Sequence, residues 1–516
     1  MLGRKSLLMV AQNILTGIIG YIGLFFILRY SGLETYGILQ FALSYLGLFS
    51  FILDFGFSTA HIKKISEGFD PWKGISVYFI VKLILIIVFT IISLSSLIFV
   101  KIITGRNLSS PYEYYTIILV LFYYIMQSLV LFYQATFNAL SKAAIISIPR
   151  IIEATFRNVL YILTSYFIAR TLVNKEEFSM TLAFILVLSY ILYVFLYSIY
   201  AKDWKFIKPE KEDFITYFRF AIPVSITSIF YIVATYSSNL ILQYYWGPIF
   251  LGAYISITNI IMFINSITNS LSSFILPNLS SSYKNNDINK YSWLMQEFEK
   301  FLSITILPFV IFFIIFSGQI LNLWTSSLIP FSMVLIILGI NAYVNAINIP
   351  YSTHFNAIDK PKNSMYIQIF SSLFLIFLDI ITIPKSIFGI KMLGLGATGL
   401  ALSIFISTTV NSLLFRTYVS KYIKSYVNNV VIKQIISGIL TGFIIYLIIF
   451  FKLPSKNWYF LISYFILTYL IFIIISYLLK GINKNDIKYI IDSLNIKEML
   501  KYIKNELRRI RIPFIL

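Results

Sequence analysis

The chain predicts an all-α polytopic membrane protein of about 14 transmembrane helices, arranged as two pseudo-symmetric six-helix lobes plus two extra helices. Three observations carry this. Of 516 residues, 59% are hydrophobic and only 12% charged, about half the charged share of an ordinary soluble domain. Fourteen apolar runs reach the roughly 20 residues that a helix needs to cross about 30 Å of hydrocarbon. A turn with two glycines five apart, Gly32-Leu33-Glu34-Thr35-Tyr36-Gly37, returns 215 residues later as Gly247-Pro248-Ile249-Phe250-Leu251-Gly252. Equal halves that start on the same side imply a parallel pseudo-twofold along the membrane normal, a transporter plan with a substrate site between lobes.

The first run, 7–29, follows Arg4 and Lys5 and lacks a small-x-small cleavage site, so it is expected to remain as an uncleaved span. Its deep polar residues, Gln12, Asn13 and Thr16, are neutral, and Arg29 closes it at the outer boundary. Span two, 36–58, holds Asp54 near its end, where it is expected to steady the turn to Lys63 and Lys64. Span three, 75–100, carries Lys82 some eight residues in. Snorkelling to the interface explains that lysine as well as ligand binding does. Spans four to six follow at 113–137, 144–169 and 178–200. The linker 201–213, charged and with Pro209, is expected to strap the lobes 1–210 and 211–425 together. Spans seven to twelve lie at 216–246, 249–277, 298–320, 328–353, 364–383 and 393–415. Spans 431–451 and 457–479 have no repeat partner and form an appendix, 426–480. The tail, 481–516, alternates Ile and Leu with Lys and Arg at helical spacing and is expected to lie as a basic amphipathic helix on anionic lipid, or else to pack on cytoplasmic loops.

Charge placement sets the topology. With the N-terminus cytoplasmic, even-numbered loops hold 17 Lys and Arg and the two tails 11, against nine in odd-numbered loops. This positive-inside bias places both termini in the cytoplasm of a cell-membrane protein. The net charge of +20 is therefore topology and lipid contact rather than nucleic-acid binding. The chain has no cysteine, which removes disulfides, thiolate metal sites and cysteine nucleophiles together. Its two histidines, His61 and His354, have no metal-ligand spacing, so neither metal nor cofactor is expected.

Span five breaks the apolar rule. Arg150, Glu153 and Arg157 fall within about 60° of arc on one helix face. A charge at mid-bilayer costs roughly 2.5–3.5 kcal/mol even on insertion scales, so that face must look into a wet cavity or onto a partner helix. Either Glu153 neutralises an arginine and the three tie helices together, or the surplus positive charge takes an anion. Guanidinium suits phosphate because its planar fork reaches two oxygens and keeps its charge. Arg157, Arg150, Lys82, Arg219 at the start of span seven and Arg29 are the candidate phosphate ligands, with interfacial anchoring the alternative for Arg219 and Arg29. Glu153 is the candidate protonation switch, since Asp54 and Asp379 lie near interfaces. Pro149 is placed to kink the helix before the charged face. Neutral polar stripes supply candidate sugar contacts: Asn259, Ser266, Ser270 and Ser273 on span eight, and Asn341, Asn345, Asn348 and Ser352 on span ten. Tyr231 and Tyr236 on span seven suit the apolar face of a sugar ring. Helix-to-helix hydrogen bonding is the competing role for these residues.

The segment from Leu33-Glu34-Thr35-Tyr36-Gly37 through Leu53-Asp54-Phe55-Gly56-Phe57-Ser58 to His61-Ile62-Lys63-Lys64 resembles the start of Wzx-type polysaccharide transporters. These belong to the multidrug/oligosaccharidyl-lipid/polysaccharide (MOP) exporter superfamily. Further similarity lies in Ala221-Ile222-Pro223, Gly252-Ala253-Tyr254, Leu276-Pro277-Asn278-Leu279-Ser280 and Gly394-Leu395-Gly396-Ala397-Thr398-Gly399, so the resemblance covers roughly 1–425. It implies a flippase that carries an isoprenoid-linked oligosaccharide outward by alternating access, with enzymes of glycan assembly as partners; two lobes in one chain make a monomer sufficient. It also implies that spans thirteen and fourteen form a groove for the lipid tail. Where relatives often carry an acid in span seven this chain has Asn239, which becomes a candidate sugar contact rather than an ion carrier. A proton- or sodium-coupled multidrug exporter of the same superfamily is the alternative, weakened by the missing deep acid in span one. A membrane glycosyltransferase or polymerase fits less well, because the odd-numbered loops are short and lack paired acids.

Overall fold

The computed structural model describes residues 2–104, 111–167, 174–272, 275–421, 428–451, 458–484 and 486. They form sixteen α-helices and one two-stranded hairpin, in two compact units that meet in sequence between Gly252 and Ala253. The first unit contains α1 (Leu2–Phe26), α2 (Gly32–Gly47), α3 (Phe57–Ser66), α4 (Pro71–Thr104), α5 (Pro111–Ala139), α6 (Ala143–Phe167), α7 (Lys175–Tyr200) and α8 (Lys211–Trp246), with the first turn of α9 (Pro248–Ser272). The second holds the rest of α9 and α10 (Ile275–Lys284), α11 (Ile288–Trp324), α12 (Ser332–Ala357), α13 (Pro361–Thr382), α14 (Gly396–Val419), α15 (Asn429–Phe451) and α16 (Trp458–Leu478). A hairpin pairs Ser386–Ile387 with Ile390–Lys391 between α13 and α14.

Among the described residues, twelve helical stretches are long and apolar enough to cross a membrane. One of them, Gln12–Gly47, runs from within α1 through α2, with the turn between them at Gly32 (φ 85°). The helix α6 is not among the twelve and carries the three charges of span five. Counting α1 and α2 separately and adding α6 gives the fourteen spans of the apolar pattern.

Local chemistry starts the helices where the sequence places them. Proline opens α4, α5, α9 and α13, where its missing N–H costs nothing. Asn174 caps α7 by accepting from the Glu176 amide, and Asp287 caps α11 by accepting from Lys290. Glu210 and Asp213 form a capping box at α8.

Spans two and eight are shorter than expected, and each leads into a ten-residue helix that the apolar runs concealed: α3 after α2, and α10 after α9. Between α2 and α3 the chain turns through Phe55 (φ 44°) and Gly56 (φ 76°). A Cβ at Gly56 would lie 2.6 Å from the Ala221 carbonyl oxygen of α8, so that close approach needs glycine.

The repeat is written into the backbone. Gly32 (φ 85°, ψ 172°) and Gly247 (φ 83°, ψ −179°) share one conformation. Five residues on, a Cβ at Gly37 would meet the Pro248 carbonyl oxygen at 1.9 Å, and one at Gly252 would meet that of Leu33 at 2.1 Å. Leu33 and Pro248 are themselves equivalent under the 215-residue offset, so α2 and the first turn of α9 approach reciprocally. The linker after α7 is pinned to the first unit. Trp204 packs on Phe132 and Phe137, the Ile207 amide donates to Ser76 at 2.8 Å, and Lys73 pairs with Glu210 at 3.1 Å. Span seven, which opens the second sequence half, packs as α8 on α2, α3 and α4 within the first unit. Repeat and compact unit thus divide the chain at different points.

In the second unit α11 is central, packing on α12, α15 and α16. Phe309 and Phe312 meet Phe465 of α16 at 4.9 and 5.3 Å. Lys300 pairs with Asp486 at 2.7 Å and ties the start of the tail to α11. From residue 487 on, the expected amphipathic tail lies outside the described residues.

Candidate functional site

The charged face of α6 turns inward within the first unit. Glu153 is 3% exposed and accepts from Arg157 Nε at 2.7 Å and from the Ser189 hydroxyl of α7 at 3.2 Å. The spacing of four residues along the helix brings acid and base together. Arg157 keeps 28% of its side chain accessible and is bordered by Tyr161 and Tyr190. Tyr190 packs edge-on against Tyr123 of α5 at 4.7 Å, and Tyr193 stacks on Tyr197 at 4.9 Å. Gln134 donates to the Tyr193 hydroxyl at 2.7 Å. Arg150, one helical turn before Glu153, is exposed and makes no ion pair among the described residues, while its charge reaches Tyr190, Tyr193 and Tyr197. The face therefore presents one neutralised arginine and one uncompensated arginine beside a wall of phenols. Two arginines and an acid leave +1, which favours an anion, and the phenols offer hydrogen bonds and flat apolar faces.

The other candidate cations lie apart from this face. Lys82 is fully buried; its ammonium donates to the Leu53 carbonyl at 2.5 Å and to Asp54 at 3.2 Å. Asp54 also accepts from the Ser58 amide and hydroxyl, so the pair fastens the α2–α3 break to α4. Asp54 thus steadies the turn into α3, while Lys63 and Lys64 pair with Glu67 at the end of that helix. Arg29 is exposed, with its guanidinium 5.5 Å from the Phe25 ring. Arg219 is exposed near the start of α8.

The neutral candidates divide as well. Asn239 is buried and donates to Ser44 at 3.1 Å, which ties α8 to α2. Tyr236 is half-buried against Tyr124 and Gly47, whereas Tyr231 is 66% exposed. In the second unit, Asn259 is half-buried on α9, and Ser266 bonds back to its own helix. The side chains of Ser270 and Ser273 lie outside those described. On α12, Asn345 is exposed and Asn348 donates to Asn411 at 3.3 Å. The amide oxygens of Asn341 and Asn348 are buried without a donor among the described residues. A buried acceptor of this kind gains from any hydroxyl that reaches it.

Sequence reasoning missed a second buried ion pair. Glu299 of α11, 1% exposed, is held by Arg416 of α14 and accepts from the Tyr351 hydroxyl of α12 at 2.8 Å. The guanidinium lies 4.1 Å from the Tyr351 ring centre. The partners stand 117 residues apart on different helices, so no spacing pattern announces them. His61 proves to be a neutral core residue, bonded to Tyr217 and Thr136 at 3.0 Å each and stacked on Tyr78 at 4.5 Å.

The fold is that of a multi-pass helical membrane protein. The solved structures that share the fold include the lipid II flippase MurJ in an inward closed conformation, at 17% identity and TM-score 0.71, covering 92% of this chain and 98% of that one. An inward-facing multidrug resistance MATE family transporter of the MOP superfamily matches at 16% identity and TM-score 0.58, over 81% and 96% of the two chains. A MOP superfamily transporter from Pyrococcus furiosus, described as having a binding pocket of reverse polarity, matches at 16% and 0.52, over 82% and 95%. No curated protein matches by sequence. The family model for polysaccharide biosynthesis proteins matches residues 2–283, and the chain belongs to that family.

Proposed function

We propose that this protein is a flippase that moves an isoprenoid-(pyro)phosphate-linked oligosaccharide from the cytoplasmic to the outer leaflet of the cell membrane by alternating access, for surface polysaccharide or glycan assembly. The observation that carries the reading is the α6 face: a part-exposed Arg157, and an Arg150 with no ion pair among the described residues, beside tyrosines, in a chain of the polysaccharide biosynthesis family. Such a substrate presents an anionic phosphate, a hydroxyl-rich head and a hydrocarbon tail. Arg150 meets the phosphate first; the phosphate then competes with Glu153 for Arg157, whose fork can address two oxygens. The carboxylate it displaces stays held by Ser189, and its protonation is the step that couples translocation to an ion gradient. The phenols of α5 and α7 serve the sugar without a fixed charge that would trap it. In this reading the lobes are 1–210 and 211–425, α15 and α16 guide the lipid tail, both termini are cytoplasmic, and one chain suffices.

The test is flipping of a fluorescent isoprenoid-linked oligosaccharide in proteoliposomes. Arg157→Ala should abolish it and Arg157→Lys should restore it only in part, because lysine keeps the charge but loses the fork. Normal flipping by both variants would remove Arg157 from the substrate path.

A further inference from the structure

Two grooves run side by side along the start of α8 and share Ile215 and Arg219. One, of about 430 Å³, is also lined by Lys64, Glu212, Thr216 and Phe220. The other, of about 680 Å³, is completed by Lys211, Phe214, Phe218, Ile222 and Pro223. Positions 211, 215, 218, 219 and 222 recur at helical spacing, so a single face of α8 carries the border between them. Ile215, Phe218 and Ile222 are exposed although apolar. On the polar side, Lys64 is held 3.0 Å from Glu67, and Lys63 lies 4.2 Å from the Phe220 ring centre. Arg219 makes no ion pair among the described residues. Of the residues that line the polar groove, the cations Lys64 and Arg219 outnumber the one acid, Glu212, so its lining is net positive.

A positive groove that passes without a break into an apolar one fits a particular ligand shape. A soluble anion would use only the first, and a hydrocarbon only the second. We infer that this face of α3 and α8 is a docking site for a lipid phosphate: the headgroup sits between Arg219 and Lys64, and the hydrocarbon chain lies along Ile215, Phe218 and Ile222. None of these residues belongs to the charged face of α6, so the site is a loading station that precedes translocation. The inference rests on the proposed transport of a lipid-linked phosphate and specifies where that lipid first binds.

The absence of native cysteine makes the test direct. Ile222→Cys, exposed and therefore tolerant of a label, carries bimane in protein held in nanodiscs. The probe is a polyisoprenyl phosphate with a nitroxide on its hydrocarbon chain. Saturable quenching is expected, with Arg219→Gln raising the half-saturating concentration about tenfold, the scale of one charge-assisted contact. Added salt should weaken binding, because the groove is open to water. Inorganic phosphate should not displace the lipid. Absent quenching, an unchanged response in Arg219→Gln, or displacement by inorganic phosphate as effective as by lipid would each overturn the assignment. Quenching by a protein that fails to flip keeps the docking site and removes the transport reading; flipping without quenching does the reverse.

Discussion

Neutralising Arg157 and Glu153 together separates what their pair does for stability from what it does for transport. Arg157→Gln alone leaves Glu153 charged, 3% exposed, with the Ser189 hydroxyl as its remaining partner. Breaking a buried pair on one side costs about 3–5 kcal/mol, and the accessibility of Arg157 places this case near about 3 kcal/mol. The double variant Arg157→Gln/Glu153→Gln removes both charges, and its two amides can hydrogen-bond each other, so most of the loss should return. The coupling energy, about 2 kcal/mol or more, is read from a double-mutant cycle of unfolding in detergent. Flipping should stay abolished in the double variant, because the guanidinium fork of Arg157 is gone although the net charge of the face stays at +1. A double variant as unstable as Arg157→Gln would refute the pairing, and a stable one that flips at the wild-type rate would refute the anion role.

Other expectations follow from the same geometry. Gly252→Ala places a methyl group 2.1 Å from a backbone carbonyl and should cost at least roughly 2 kcal/mol, whereas Gly17→Ala, in open space, should cost nothing; equal melting temperatures would contradict the reciprocal contact. Arg416→Lys keeps the charge opposite Glu299 but loses the stack on Tyr351, and should lower stability by about 1–3 kcal/mol in the same unfolding assay. Burial pushes the pKa of His61, on α3 between spans, down to about 3. The folded state therefore binds fewer protons than the unfolded one below pH 6.5. Its contribution is complete above that pH and is lost as pH falls toward about 3, at about 1.4 kcal/mol per pH unit. His61→Gln should remove that part of the acid sensitivity; an identical pH profile in both proteins would exclude it.

Membrane spans were legible because hydrocarbon tolerates so few residue types: each apolar run is occupied mainly by one long helix, although spans two and eight end early. The repeat was legible because Gly32 and Gly247 hold a backbone conformation that other residues avoid. The helices α3 and α10 were not, since an apolar stretch continues through the break at Phe55 and Gly56 and hydropathy does not register φ. Leu53-Asp54-Phe55-Gly56 was the available signal, an acid that caps a helix beside a glycine that turns the chain. At the site, the pairing of Glu153 with Arg157 follows from helical spacing. Its phenolic wall depends on how α5 and α7 pack, and the Glu299–Arg416 pair on how α11 and α14 do. Lys82 shows the same limit: its depth in a span was readable, but its engagement by Asp54 and a carbonyl arises only once α2 breaks beside α4.

The most direct measurement of the central claim is cargo choice by the wild-type protein in one proteoliposome preparation. It should move an isoprenoid-pyrophosphate-linked oligosaccharide between leaflets and leave an organic cation such as ethidium in place. Movement of the cation with no flipping of the lipid would contradict the account and make the protein a drug exporter.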